Sequence, residues 1–308
     1  MALGVSTAWN AYRHHCAGAI TSELEVLGFN TFELSYNLNS FIVNGFKKLV
    51  AKKLCRILSI HNFCPIPACL AREKALPDCY SLASLDKEER RLAIRYTKRT
   101  IATAACLGAK AVVLHCGRVE IADRTKRLIS LYNKKDFRLF SKEKNQAIKE
   151  RERKCKPFLQ SALRSLEELN RCAGENNVLL GLENRFYYRE IPSFEELVHI
   201  FQQFRGSNLR YWHDTGHAQV MENLGFLSHN DYIVNFKKPL IGVHLHDLAG
   251  CNDHKAPGTG TFDFSILNGF LKETTIKIIE AHRNSSAREL KASKTIINER
   301  LSSGRRNS

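Results

Sequence analysis

The 308-residue sequence predicts an α/β fold, a single (β/α)8 TIM barrel in which eight parallel strands close on themselves. Three observations lead there. Eight short runs rich in Val, Ile, Leu and aromatic residues alternate with segments of helical periodicity. The length suits one barrel of about 250 residues with insertions. No domain break is visible, so the barrel is expected to span 1–300, with 301–308 as a disordered tail.

Taken in order, the first strand is LGVSTAW (3–9), followed by a helix within HCAGAITSELEVLGF. NTFELSY (30–36) leads to the helix SFIVNGFKKLVAKKL, and CRILSIHNF (55–63) to the proline-bearing loop 64–84. The helix SLDKEERRLAIRYTKRTIATAACLG has Ser84 or Asp86 as N-cap and Gly108 as C-cap. AKAVVLHC (109–116) precedes a second long connection, 117–156, and then the helix KPFLQSALRSLEELNRCAGENN. NVLLGLENR (177–185) is followed by the helix PSFEELVHIFQQF, and NLRYWHD (208–214) by a turn into TGHA. LIGVHLHD (240–247), a helix within FDFSILNGFLKE, the strand TIKIIEAH (275–282) and a last helix, SSARELKASKTIINERL, complete the alternation.

With 44% hydrophobic and 25% charged residues, the composition is that of a soluble globular protein. No apolar stretch approaches the roughly 18–20 residues of a membrane span, so no membrane partner is expected. The first residues lack a cationic start and an apolar core, which argues against a secretory signal and for a cytoplasmic location. Ten cysteines without a CxxC pair exclude a structural zinc finger and read as reduced thiols, most of them small core residues. The net charge of +16 is uneven: residues 118–156 hold 14 basic against 6 acidic side chains. That segment fits either a phosphate-binding face or a solvated helical surface with interleaved Glu and Lys.

The strand ends carry the chemistry. His, Asp and Glu make up 43 of the 308 residues, so eight arbitrary positions would hold little more than one of them. Seven of eight strand ends carry one: Glu33, His61, His115, Glu183, Asp214 with His217, His244 and His246 with Asp247, and Glu280. In a (β/α)8 barrel these converge on the C-terminal mouth. Carboxylates crowded there repel, and a divalent cation removes that cost. Glu183, Asp214, His244 and Glu280 offer three oxygens and one imidazole, a set suited to Mn²⁺ or Zn²⁺, with Mg²⁺ and Co²⁺ as further candidates. Adding His61, His115, His217 and His254 makes the mouth nitrogen-rich and favours zinc and more than one ion. Glu33 is expected to stand behind the ligands rather than among them, or simply to pair with an arginine. Arg185 suits a substrate phosphate or carboxylate, or else a rim salt bridge. Pro257, Gly258 and Gly260 form a turn whose amides could hold a phosphate. Loop 64–84 suits a lid or a homodimer contact.

The set SIHNFCP, VVLHCG, LGLENR, WHDTGHA, GVHLHD and DHKAPGTGTFDF resembles, in order over about residues 3–300, the xylose-isomerase-like barrel superfamily. That group unites sugar isomerases and epimerases with endonuclease IV-type apurinic nucleases (AP endonuclease family 2). The resemblance implies, for the first branch, one divalent metal on Glu183, Asp214, His244 and Glu280. The two glutamates then act as catalytic acid–base groups on a sugar or sugar phosphate through a metal-stabilised enediolate, with His217 at the substrate. Arg185 and His246 are carried as further substrate-binding positions. For the nuclease branch it implies three zinc ions, with His61, His115, His217 and His254 as added ligands and DNA as the partner. The chain departs from that branch at Asn252, where an aspartate is usual, with Asp253 adjacent, and at Gly216, where a cysteine is usual.

Overall fold

The computed structural model describes residues 3–302. Eight parallel strands form a closed barrel: β1 (Leu3–Ser6), β2 (Thr31–Leu34), β3 (Arg56–His61), β4 (Ala111–Leu114), β5 (Leu179–Glu183), β6 (Leu209–Asp214), β7 (Leu240–Leu245) and, after a hairpin, β10 (Ile276–Ile279), which pairs with both β7 and β1. Helices α1 (Ala17–Val26), α2 (Ser40–Ala51) and α3 (Lys87–Leu107) follow the first three strands. Asp86 caps α3 by accepting from the amides of Glu88 and Glu89, and Gly108 ends it at φ 67°, a left-handed conformation that costs glycine little. Three cores result among the described residues. A large one lies between sheet and helices, a small one inside the barrel joins Leu58, Ala111, Val113, Trp212, Ile276 and Ile278, and a third joins Leu128, Val220, Met221, Leu224, Leu248 and Cys251.

Trp212 is the largest side chain of that inner core, and glycines make its room. A Cβ at Gly242 would overlap its ring, and one at Gly181 would come within 2.9 Å of it. The alternation of a strand then places the next inward position of each strand at the mouth: Glu183 after Gly181, Asp214 after Trp212, His244 after Gly242 and Glu280 after Ile278.

Four elements differ from expectation. The connection 117–156 is largely helical: α4 (Thr125–Asn133) is followed by α5, a single 39-residue helix (Phe137–Glu175) that runs through Pro157. Proline there reads as a first-turn residue, but the preceding turns continue because they are tied down. Buried Arg151 donates to the carbonyls of Tyr188 and Glu190 and to Glu196, and Arg124 pairs with Glu143 and Glu150. Part of the basic segment is therefore internal bracing, while Lys142, Lys149 and Arg153 line an open surface groove. Helix α6 (Phe194–Gln203) forms as predicted, capped by Ser193. Beyond β6 there are two helices, α7 (Thr215–Asn223) and α8 (His229–Phe236), of which the second was not foreseen.

After β7 a hairpin, β8 (Asp247–Ala249) and β9 (Asn252–Lys255), projects from the rim. The segment 262–273 forms only a short 3-10 turn at Phe264–Leu267, since Gly269 at φ 77° turns the chain away from a helix. The last helix, α9 (Ala287–Ser302), continues into the expected tail, whose residues 303–308 lie outside those described. Of the ten cysteines, all free, Cys55, Cys64, Cys116 and Cys251 are buried, Cys79, Cys155 and Cys172 pack partly buried against the core, and Cys16, Cys69 and Cys106 are exposed. Among the described residues no helix is long and apolar enough to cross a membrane.

The PGTG turn binds an anion, but an internal one. The amides of Gly258 and Gly260 donate to one oxygen of Asp247 and those of Leu248 and Phe262 to the other, each at 2.9 Å. These amides are therefore not open to a substrate phosphate. Asp247→Ala removes the acceptor of four amides, one buried and three part-buried, and is expected to cost about 3 kcal/mol. That lowers the melting temperature by roughly 6 °C, measurable by calorimetry.

Candidate metal centre

Glu183, Asp214, His244 and Glu280 are brought together as expected. One ligand atom from each lies within 4.8 Å of the others, and all four are buried. His244 Nδ1 stands at the focus, 2.6 Å from Glu183 Oε1, 2.8 Å from Glu280 Oε2 and 3.6 Å from Asp214 Oδ2. Its other nitrogen, Nε2, is 3.1 Å from both oxygens of Glu33. Glu33 thus supports a ligand from behind, as expected, and also accepts from Ser59; its partners are these two rather than an arginine. A fully buried acid holding Nε2–H turns the Nδ1 lone pair toward the three other carboxylates, which is how a metal-ligating imidazole is oriented.

Without an ion, a single Nδ1 proton must serve three carboxylates. Burial alone would lower the His244 pKa, but Glu280, Glu33 and Glu183 hold it well above the usual histidine range. Burial likewise opposes the charge on Glu183 and Glu280, yet His244 and the neighbouring imidazoles keep the first well below the carboxylate range and bring the second to about 2. So much negative charge in so small a dry volume suits a divalent cation in place of one proton. The residues present therefore fit the ion that the strand ends imply.

The additional histidines repeat this orientation. His61 donates Nδ1–H to the carbonyl of Asn62 and His217 donates Nδ1–H to that of Asn184, each at 3.0 Å. Both therefore turn Nε2 inward, His61 toward Glu183 at 4.0 Å and His217 toward Asp253 at 3.8 Å. His115 Nε2 is 2.7 Å from Glu183 Oε2. His61, His115 and Glu183 form a second cluster, and Asp214, His217, His246 and His254 a third. Helix α7 builds part of this locally, because Asp214 is its N-cap and accepts from the His217 amide at 2.7 Å. Asn184 holds the Asp214 backbone through both its amide nitrogen and its oxygen.

His246 and Arg185 are at the mouth, but both are engaged by protein. His246 Nδ1 accepts from the His254 amide, so its Nε2–H donates to Asp214 at 2.9 Å, leaving neither ring nitrogen free for substrate. Arg185 is buried among Glu183 (2.9 Å), Glu190 (3.1 Å) and Asp78 (3.6 Å). Asn252 is exposed on the hairpin, while adjacent Asp253 turns in, 2.9 Å from His254 Nδ1. The neighbouring residue thus brings a carboxylate beside His217 and His254. Gly216 is also explained, since a Cβ there would overlap the His246 ring.

Three residues of the site were missed in the sequence. Asp78 reaches His115 from loop 64–84, Glu190 holds Arg185, and His282 stacks on His254 with ring centroids 3.8 Å apart. Only His282, two residues past Glu280 in the motif EAH, had a visible signal. A cavity of about 300 Å³ opens beside His254 and His282, lined also by Asn252, Asp253, Lys255, Thr259 and Asn284. A larger hollow of about 680 Å³ lies between Phe201, Phe236 and the start of β6, at the opposite end of the barrel from the carboxylates. The smaller cavity adjoins the ligand cluster at His254.

Several solved structures share this fold over nearly their whole length. A D-tagatose 3-epimerase-like protein is 20% identical, with 99% of each chain covered and a TM-score of 0.71. An L-ribulose 3-epimerase is 17% identical, with 99% of this chain and 96% of that one covered and a TM-score of 0.69. The IOLI protein, solved with a bound zinc atom, is 14% identical over 98% and 99%, with a TM-score of 0.67. No curated protein matches the sequence. The model of the xylose isomerase-like TIM barrel family matches residues 22–299, and the chain belongs to that family.

Proposed function

We propose that the protein is a metal-dependent isomerase or epimerase acting on a sugar or sugar phosphate. The observation that carries this reading is the convergence of Glu183, Asp214 and Glu280 on one imidazole nitrogen of His244. These four residues would hold a divalent cation, Mn²⁺ or Zn²⁺ by donor set. When bound, the cation supplies electrostatic stabilisation for negative charge developing on neighbouring sugar oxygens.

The protein's own groups do the rest. Glu183 and Glu280 reach the centre from β5 and from the end of β10, and are the acid–base pair that takes a proton from the carbon beside the carbonyl and returns one. His217, with Nδ1–H committed to the Asn184 carbonyl, offers Nε2 to a substrate oxygen. The cavity beside His254, lined by Asn, Thr and Lys side chains, suits the distal hydroxyls or phosphate of a small sugar. The sugar epimerases among the structural neighbours support the same reading.

A second reading has its own observation. The His61–His115–Glu183 cluster, together with Asp253 beside His217 and His254, gives room for further ions, as in an endonuclease IV-like phosphodiesterase acting on apurinic DNA. Against it stands Gly216, whose missing side chain leaves space that the His246 ring fills. A panel of ketoses and ketose phosphates in D₂O with Mn²⁺ separates the two readings. Deuterium entering at the carbon beside the carbonyl is the expected result. No exchange across the panel, with cleavage of a duplex bearing one abasic site, would replace this reading by the second.

A further inference from the structure

Loop 64–84 was expected to serve as a lid or a dimer contact, and it delivers one side chain to the metal centre. Asp78 lies 3.3 Å from His115 Nδ1 and 3.6 Å from Arg185 Nη2. The loop is pinned across the mouth at a distance from Asp78. Arg72 donates to the backbone carbonyls of Asn37 (2.9 Å), His14 (2.8 Å) and Ala11, and Tyr80 stacks on Tyr96 of α3 with centroids 5.7 Å apart.

His115 differs from the other inward-facing histidines. His61 and His217 have their outer nitrogen fixed by a carbonyl within the barrel rim, a partner that can only accept, so their inward lone pairs are always presented. His115 stands between two carboxylates, Asp78 on Nδ1 and Glu183 on Nε2 at 2.7 Å. Asp78 stands behind the outer nitrogen as a carboxylate partner, which sets the ring with Nε2 facing Glu183. Without Asp78 the outer nitrogen loses that partner, and the ring is no longer held with Nε2 toward His61 and Glu183.

We propose that Asp78 is a positioning residue that makes His115 a ligand, so that a second cation site at His61, His115 and Glu183 is complete only while loop 64–84 lies over the mouth. Asp78 also sets a negative charge beside Arg185, whose guanidinium would otherwise repel a second ion. The inference rests on the cation centre described under the proposed function. It adds that the two clusters, which share Glu183, differ in dependence on the loop. The first needs no residue from it.

The test is zinc titration of the metal-stripped full-length protein against a chromophoric chelator, with elemental analysis of the loaded protein. Wild type is expected to take one Zn²⁺ tightly and a second more weakly. Asp78→Ala should weaken the second about 10- to 100-fold, the usual effect of losing a partner behind a ligating histidine, and leave the first unchanged. Asp78→Glu should recover part of the loss. Arg72→Met, which removes no ligand and no ligand partner, should weaken the second ion by releasing the loop. Equal affinity for the second ion in wild type and Asp78→Ala overturns the inference, as does wild-type affinity in Arg72→Met or a wild type that takes only one ion. A protein that takes no zinc at all instead removes the cation centre itself.

Discussion

Glu183→Gln and Glu280→Gln are each expected to lower turnover by about 10²- to 10⁴-fold, the range for loss of a positioned acid–base group. The amide keeps the shape of the side chain but neither accepts nor returns a proton. Folding should survive the change, because each amide still faces His244 and the barrel's inner core lies one layer below. The informative comparison is between exchange and net conversion. If the two glutamates work on opposite faces of the substrate, one variant retains solvent exchange at the carbon beside the carbonyl while both lose conversion. Measuring deuterium uptake and product formation on the same samples checks this. Near-wild-type turnover in both variants would remove the proposed acid–base pair.

Metal removal is the second large effect. A chelator should abolish turnover, and Mn²⁺ or Zn²⁺ should restore it. Stability should fall as well, since an ion bound only by the folded state at 100 to 1,000 times its dissociation constant contributes roughly 3–4 kcal/mol. For a domain of this size that is a fall in melting temperature of roughly 5–10 °C. Loss of stability without loss of turnover would make the ion structural. Neither loss would mean that the buried carboxylates are balanced by His244 alone.

The barrel and its mouth were legible because both follow from short-range rules. Buried parallel strands read as apolar runs, and the residue types at their C-terminal ends are otherwise scarce. Glu183, Asp214, His244 and Glu280 needed only that reading, together with the family resemblance, to be gathered. What escaped depends on where distant segments return. Asp247 was visible at a strand end, but its role as the anion inside the PGTG turn depends on residues 258–262 folding back onto it.

Glu33 was expected to stand behind the ligands, but which one it holds was not legible, since His244 is 211 residues away in sequence. Asp78 sits in an irregular loop with no periodicity to mark it. The long helix α5 was divided because Pro157 resembles a helix start, while the bonds that carry the helix past it, such as Arg151 to Glu196, span 45 residues. The shift from Asn252 to Asp253 is of the same kind. A hairpin turn decides which neighbour faces inward, and the turn was not foreseen.

The most direct test is a crystal of the protein soaked in Mn²⁺ and measured at the manganese absorption edge. The account predicts an anomalous peak within coordination distance of Glu183, Asp214, His244 and Glu280, with His244 bound through Nδ1 and Glu33 still holding Nε2. A map with no peak among these four side chains, from crystals in which they are well ordered, would contradict it.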